Sequence, residues 1–232
     1  MLRGRRFETE RLIRTDPVTG VTVRQVTSGS AHSMHMHYET VTFTPDAKRM
    51  IFVSRLGTER NAPLALFTAE TDGTTITQLS GDGGCSGVVM SVDGEHVHYV
   101  EGMKFHRTRL SDAEDEQIGA LTIPGATPHG AYRGMRSWDG RYHFAEVRSS
   151  DGGEGVVRID VTSGEAVAVR AGDATGHPKA NPAGPEISFN VYRFLPGFNE
   201  KGKRHFEKKT VYLHAETLEE LDVKFPKGPS GV

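Results

Sequence analysis

A turn signature that returns at near-constant spacing constrains this chain more than any other feature. Residues 43 to 54, Phe-Thr-Pro-Asp-Ala-Lys-Arg-Met-Ile-Phe-Val-Ser, place an apolar approach, a tight turn and a second apolar strand in one short stretch. The same arrangement recurs in Met90 to Val100, in Arg136 to Val147 and in Ala180 to Val191. Aligning the turns at Pro45, Val92, Trp138 and Pro182 gives steps of 47, 46 and 44 residues. A sandwich meander also turns regularly, but roughly every 8 to 12 residues and without a higher period. A regular period near this length marks a repeat architecture.

Each unit continues with a second pair of strands. In the first unit Leu64 to Ala69 leads through Thr71-Asp72-Gly73 into Thr75 to Leu79, and in the third Gly155 to Val161 leads through Thr162-Ser163-Gly164 into Ala166 to Arg170. An Asp-Gly turn closes such a pair because Gly accepts positive φ and Asp bonds the turn backbone. Four strands per unit are the content of a propeller blade. The expectation is therefore an all-β fold, a β-propeller of four-stranded antiparallel blades with about four blades present, as a short or partial ring. It forms one domain over 1–232, with blades at about 28–80, 81–124, 125–172 and 173–228 and residues 21–27 as a closing strand. Gly and Pro, 27 and 11 in number, suit many short strands better than long helices.

Four blades lie at the lower limit of the radial architecture. An open arc would leave sheet edges and faces unpaired, so self-association through open propeller edges is an expected partner mode. The 28 basic and 30 acidic side chains give a net charge of -2, against the dense basic face that nucleic acid requires. The arginine-rich start, Arg3 to Arg14, lacks an apolar segment of the signal or spanning kind, so the chain reads as cytoplasmic with no membrane partner. Cys85 is the single cysteine, which excludes an intrachain disulfide or a cysteine-rich zinc site.

The Pro-Asp-Ala and x-Asp-Gly turns followed by an apolar strand resemble the TolB-type propeller repeat. Asp16 to Val21 (Asp-Pro-Val-Thr-Gly-Val), Arg24 to Thr27, the histidines from His32 to His37, and Thr77 to Ser80 are together similar to the opening of the oligogalacturonate lyase family. Gly176 to Pro182 (Gly-His-Pro-Lys-Ala-Asn-Pro) is similar to that family's Gly-His segment, and the likeness covers most of the chain. It implies a propeller that cleaves oligogalacturonides by metal-assisted β-elimination, with a divalent cofactor such as Mn²⁺ held mainly by histidines and a glutamine. Only 55 residues follow His177, with His205 and His214 but no glutamine, so the chain reads as C-terminally shortened against that family. The alternative is a non-catalytic propeller that binds a protein or sugar partner.

The candidate residues follow from this picture. The resemblance assigns His177 to the metal; His35 and His37, two apart, would share one face of a strand and could ligate with it, or be solvated channel histidines. Elimination needs a base and a group that stabilises the developing charge beside the carboxylate. His129, at the start of the third unit, is the candidate base and Arg133 the candidate orienting cation; a surface position is the other reading of His129. Arg55, Arg136 and Lys179 are candidates for holding a sugar carboxylate, since guanidinium forks pair with carboxylates bidentately, or are solvated charges or members of inter-blade pairs. His96 and His98 read as packing residues of a strand. Residues Leu195 to Lys209, with five basic side chains, read as a long loop, a lid or a solvated run.

Overall fold

The structure is a computed structural model that describes residues 3–7, 11–123, 125–128, 134–149, 154–169, 174–198, 200 and 202–223. The described residues form strands and turns, and none of their segments is a helix long and apolar enough to cross a membrane. A short strand β1 (Arg6–Phe7) comes first, followed by β2 (Leu12–Thr15) and β3 (Thr22–Gln25). Four antiparallel sheets follow in chain order. The first holds β4 (Ser33–His35), β5 (Arg49–Arg55), β6 (Leu64–Glu70) and β7 (Ile76–Gln78). The second holds β8 (Ser86–Met90), β9 (His96–Glu101), β10 (Lys104–Arg109) and β11 (Asp115–Ala120). The third holds β12 (Ala126–Pro128), β13 (Gly134–Arg136), β14 (Tyr142–Ser149), β15 (Glu154–Asp160) and β16 (Ala166–Val169), with β12 and β13 both on β14. The fourth holds β17 (Ala174–Ala180), β18 (Glu186–Phe198) and β19 (Arg204–His214).

The repeating turn has a specific chemistry. In the first three sheets a Ser or Thr hydroxyl donates to an Asp two residues on: Thr44 to Asp46 at 2.7 Å, Ser91 to Asp93 at 2.5 Å and Ser137 to Asp139 at 2.5 Å. The same Asp oxygens accept the backbone N–H of Lys48, Glu95 and Arg141. Asn181 takes over in the fourth sheet and accepts from Ala183 N–H at 3.0 Å. Each turn thereby satisfies its own polar groups and launches the next strand in a fixed direction.

Alternate residues on the central strands enter different cores, as a period of two requires. Ile51, Val53 and Leu66 pack against Val88, Met90, Val97 and Tyr99 between the first and second sheets. Val100 and Phe105 meet Ala145, Val147, Val157 and Ile159 between the second and third. Tyr142, Phe144 and Val156 meet Ile187, Phe189 and Leu213 between the third and fourth. Burial on both faces explains why these strands read as nearly continuous apolar runs. The other face of the first sheet carries Phe52, Ala65, Phe67, Ala69 and Ile76, covered by Phe7, Val26 and Leu56.

Two expectations change. Thr22–Gln25, inside the segment expected as a closing strand, pairs with Leu12–Thr15 in a separate two-stranded hairpin and not with the fourth sheet. The reason is local: Asp16 accepts the N–H groups of Val18 and Thr19 at 2.9 and 2.8 Å and folds the chain back on itself. The basic stretch after Leu195 is not one long loop, because β18 and β19 continue through much of it as a hairpin arm. Its cross-strand ring pair, Tyr192 on Phe206 at 5.4 Å, supplies the side-chain contact that an isolated strand pair needs.

Candidate functional site

β4 ends at His35, and the seven residues from 36 to 42 leave the strand and turn before β5. Met36 anchors this loop in the first core, fully buried. Thr40 is also buried; its N–H donates to His37 O at 2.7 Å and its hydroxyl to Gly134 O in the third sheet at 3.3 Å. Glu39, held between these anchors, reaches in two directions. One carboxylate oxygen lies 3.5 Å from His37 Nδ1, and the other lies 2.6 Å from Lys179 Nζ in the fourth sheet. Its carboxylate raises the Lys179 pKa above the ordinary lysine value, first by hydrogen bonding and then by charge. The loop thus ties the first sheet to the third and fourth.

β17 is bulged where it presents Lys179, with its register to β18 shifting between Gly176 and Lys179. His177 within the bulge has φ of 54°, and its N–H donates to Glu146 Oε1 at 2.8 Å. A non-glycine residue in the left-handed region is uncommon and is held by its surroundings. Here the buried Glu146 carboxylate on β14 is one such restraint. Bulges re-aim side chains, and this one separates His177 from the regular alternation of the strand.

Arg136 on β13 lines the same region. It shares a cleft of about 150 Å³ with Glu39, Val41, Trp138 and Pro182. That is space for about five waters at roughly 30 Å³ each. Burial lowers the Arg136 pKa from the ordinary arginine value, with the Asp93 charge opposing the shift, and among the described residues its guanidinium has no hydrogen bond or ion pair. Trp138 beside it is 50% exposed, so half of a large aromatic ring is presented to solvent.

The structure separates the other candidates. His35 is exposed with Nδ1 on its neighbour's Met36 carbonyl, whereas His37 is buried against the Tyr38 ring at 4.1 Å. They do not share a strand face, because the strand stops between them. His35, His37 and His177 do not form a common ligand set among the described residues. Arg55 donates to Ala62 O at 2.9 Å and lines a different groove with Arg5, Phe7, Phe52 and Phe67. His129 and Arg133 lie outside the described residues.

Among the described residues, three potential ligands do converge elsewhere. Asp93, Glu95 and His96 bring one ligand atom each within 4.8 Å of the others at the turn joining β8 and β9. Two carboxylates and an imidazole suit a divalent ion chemically. Asp93 is held ionised first by the Ser91 hydroxyl and then by the Glu95 N–H, so part of its accepting capacity already serves the turn. Sequence alone does not single out Glu39, and it reads Trp138 as a staple between adjacent blades rather than as a platform for a sugar. Glu39 stands two residues after His37 as one acid among many, and Trp138 sits inside a repeat turn that explains its neighbours without it.

No family model and no curated protein matches the sequence. Solved structures do match. An oligogalacturonate lyase in complex with manganese superposes with a TM-score of 0.70 and 16% identity, over 97% of this chain and 62% of that one. An oligogalacturonate lyase from Vibrio parahaemolyticus gives 0.64 and 14%, over 94% and 70%. TolB from Acinetobacter baumannii gives 0.54 and 16%, over 90% and 47%. The fold is that of a β-propeller. Its four sheets are blades, and the chain spans about 62% of the length of the manganese-bound lyase it matches. In the propeller the cleft draws on all four blades, at Glu39, Val89, Gly134, Arg136 and Ala180.

Proposed function

We propose that this propeller binds an acidic sugar of the oligogalacturonide class in the cleft of Arg136 and Trp138, as an oligogalacturonate lyase-like protein. The observation that carries the reading is Arg136: a half-buried cation without an ion pair beside an exposed aromatic face. A guanidinium fork pairs bidentately with a uronate carboxylate, and an indole offers an apolar face to the ring carbons. Lys179 adds a second cation near the same cleft through its bond to Glu39. The likeness in fold to proteins named for oligogalacturonate supports the choice of sugar.

Elimination is the stronger claim within this reading. Removing the proton next to the carboxylate requires a base and a positive group that takes up the developing charge. In this reading Arg136 holds the carboxylate and acts in that second role. The divalent ion that the lyase resemblance implies is not accommodated by His35, His37 and His177, whose ring nitrogens do not converge. Binding without turnover is the second reading, and this scattering of the predicted ligands favours it.

The test combines calorimetric titration of digalacturonate and trigalacturonate with ultraviolet detection of unsaturated product, with and without Mn²⁺. Hydrogen bonds to a charged group contribute about 1.5–3 kcal/mol each, so Arg136→Ala should weaken binding about tenfold or more. Neutral galactose oligomers should bind poorly in both proteins. Unchanged affinity in Arg136→Ala would overturn the cleft assignment, and metal-dependent product would establish a lyase.

A further inference from the structure

We infer that Glu39 is a built-in competitor for the ligand carboxylate, occupying Lys179 until an acidic sugar displaces it. The inference rests on the acidic-sugar reading above for its ligand, and on the geometry of the loop for its mechanism. Glu39 is the acid of the cleft that contains Arg136, and it lies closer to Lys179, at 2.6 Å, than to His37, at 3.5 Å. Its carboxylate has the charge and shape of the group a uronate would present to the same amine.

The loop is constructed so that this carboxylate can leave while its backbone stays. Met36 and Thr40 are buried on either side of Glu39, with the Thr40 hydroxyl on Gly134 O and the Thr40 N–H on His37 O. The ion pair itself is accessible, Lys179 being 54% exposed at its side chain and Glu39 20%. A pair that solvent reaches contributes little net stability, so an incoming carboxylate can exchange with it at small cost. The other carboxylate oxygen lies 3.5 Å from His37 Nδ1, which pairs with it only when the imidazole is protonated, since in the neutral ring that nitrogen accepts the Glu39 N–H. Tyr38 and Tyr212 are the further titratable groups near Lys179, and as phenols, neutral near pH 7, they leave Glu39 as the charge that faces the amine. The exchange therefore replaces one carboxylate on Lys179 by another and leaves the local charge balanced at the amine.

This arrangement has a consequence for specificity. A neutral sugar cannot displace Glu39, because it offers no charge to Lys179 in return. An acidic sugar can, and in doing so it releases a bond between blade one and blade four.

The experiment titrates sodium galacturonate, with galactose as the neutral control, into the wild-type chain, Glu39→Gln, Lys179→Met and the double variant. Exposed ion pairs contribute about 0.2–1 kcal/mol, so Glu39→Gln should tighten galacturonate binding by about 1.4- to 5-fold. The gain should vanish in the double variant, and galactose should show no gain. Equal or weaker galacturonate binding by Glu39→Gln would overturn the inference. A readout without sugar separates it from the binding proposal: the rate at which acetic anhydride acetylates Lys179, followed by peptide mass spectrometry. Release of the amine from Glu39 should raise that rate several-fold in Glu39→Gln. If Arg136→Ala leaves galacturonate binding unchanged while this rate still rises, the sugar reading fails and the Glu39 to Lys179 restraint stands. An unchanged acetylation rate would overturn the restraint itself.

Discussion

His143 has no exposed surface, and among the described residues neither of its ring nitrogens has a partner at full hydrogen-bond geometry; Nε2 of the nearly buried His98 is in the same condition. Phe105 stacks on the His98 ring, with centroids 5.8 Å apart, and meets the His143 ring at a tilt, with centroids 5.0 Å apart. Burial lowers His98 to about 4, helped by Arg107, and lowers His143 to about 3, helped by His98; the neighbouring Gly87 backbone offsets part of the latter. In the unfolded chain both would titrate near 6.5. The unfolded state therefore binds more protons than the native state below that value. Stability is fully present above about pH 6.5 and falls as pH drops toward 4, by up to about 1.4 kcal/mol per pH unit for each histidine. Urea unfolding from pH 7.5 to 4.5 should show this slope, and His143→Phe should reduce it by about half. A slope that His143→Phe leaves unchanged would mean that His143 is not buried in its neutral form. At this scale the sequence was partly legible. His98 read correctly as packing and the Asp-Gly turns as self-bonding, but the unpaired nitrogens of His143 depend on which blade lies opposite, and no local pattern carries that.

Blades meet most closely where glycines face each other. A methyl added at Gly134 on β13 would lie 2.5 Å from Gly87 O and 2.6 Å from Val88 O on β8, backbone atoms that cannot rotate away. Gly134→Ala should therefore cost about 1–3 kcal/mol by forced separation of the two inner strands. Gly176→Ala, whose methyl would meet only the Glu146 carboxylate at 3.4 Å, should cost less. Thermal unfolding of the two variants side by side checks the order, and equal losses would mean that the blades yield at this point. Element boundaries were readable wherever a turn announced them. Pro45, Val92, Trp138 and Pro182 each open the turn before an inner hairpin's second strand. They were unreadable where one turn type serves two purposes. Asp16 in the isolated hairpin and Asp160 between β15 and β16 accept the same pair of N–H groups, two and three residues on, and each turn ends in a positive-φ glycine. The hairpin of β2 and β3 thus carries the turn of a blade's outer strand pair, yet among the described residues it pairs with no blade strand. Sequence periodicity identified the kind of turn without identifying its partner. The Glu39 to Lys179 contact was illegible for a related reason, because it joins an irregular loop to a bulge, and neither follows the strand period.

Across the whole molecule, the propeller stacks four blades through three shared cores and leaves the first blade with an apolar face of its own. Phe52, Phe67 and Ile76 on that face are covered by Phe7 and Val26, with the Phe7 ring edge-on to Phe67 at 6.0 Å. The covering segment is fastened twice. β1 pairs with β7, and Arg3 reaches past it to Glu101 and Asp115 of blade two, both at 2.7 Å, while its Nε donates to Leu79 O at 3.1 Å. The rhythm of about 45 residues made the blades legible but said nothing of this cap, since the arginine-rich start has no period and no apolar segment. Its energetic role follows from geometry: an apolar sheet face left open is a surface for association. Removing residues 1–27 should uncover Phe52, Phe67 and Ile76 together. Light scattering across a concentration series should then show association beyond that of the full chain, and Arg3→Ala combined with Phe7→Ala should give a weaker form of the same change. Far-ultraviolet circular dichroism keeps the test specific, because association with strand content retained points to the uncovered face and loss of strand content points to unfolding. A truncated chain that keeps both its strand content and the full chain's association state would mean that the N-terminal segment is not what shields blade one.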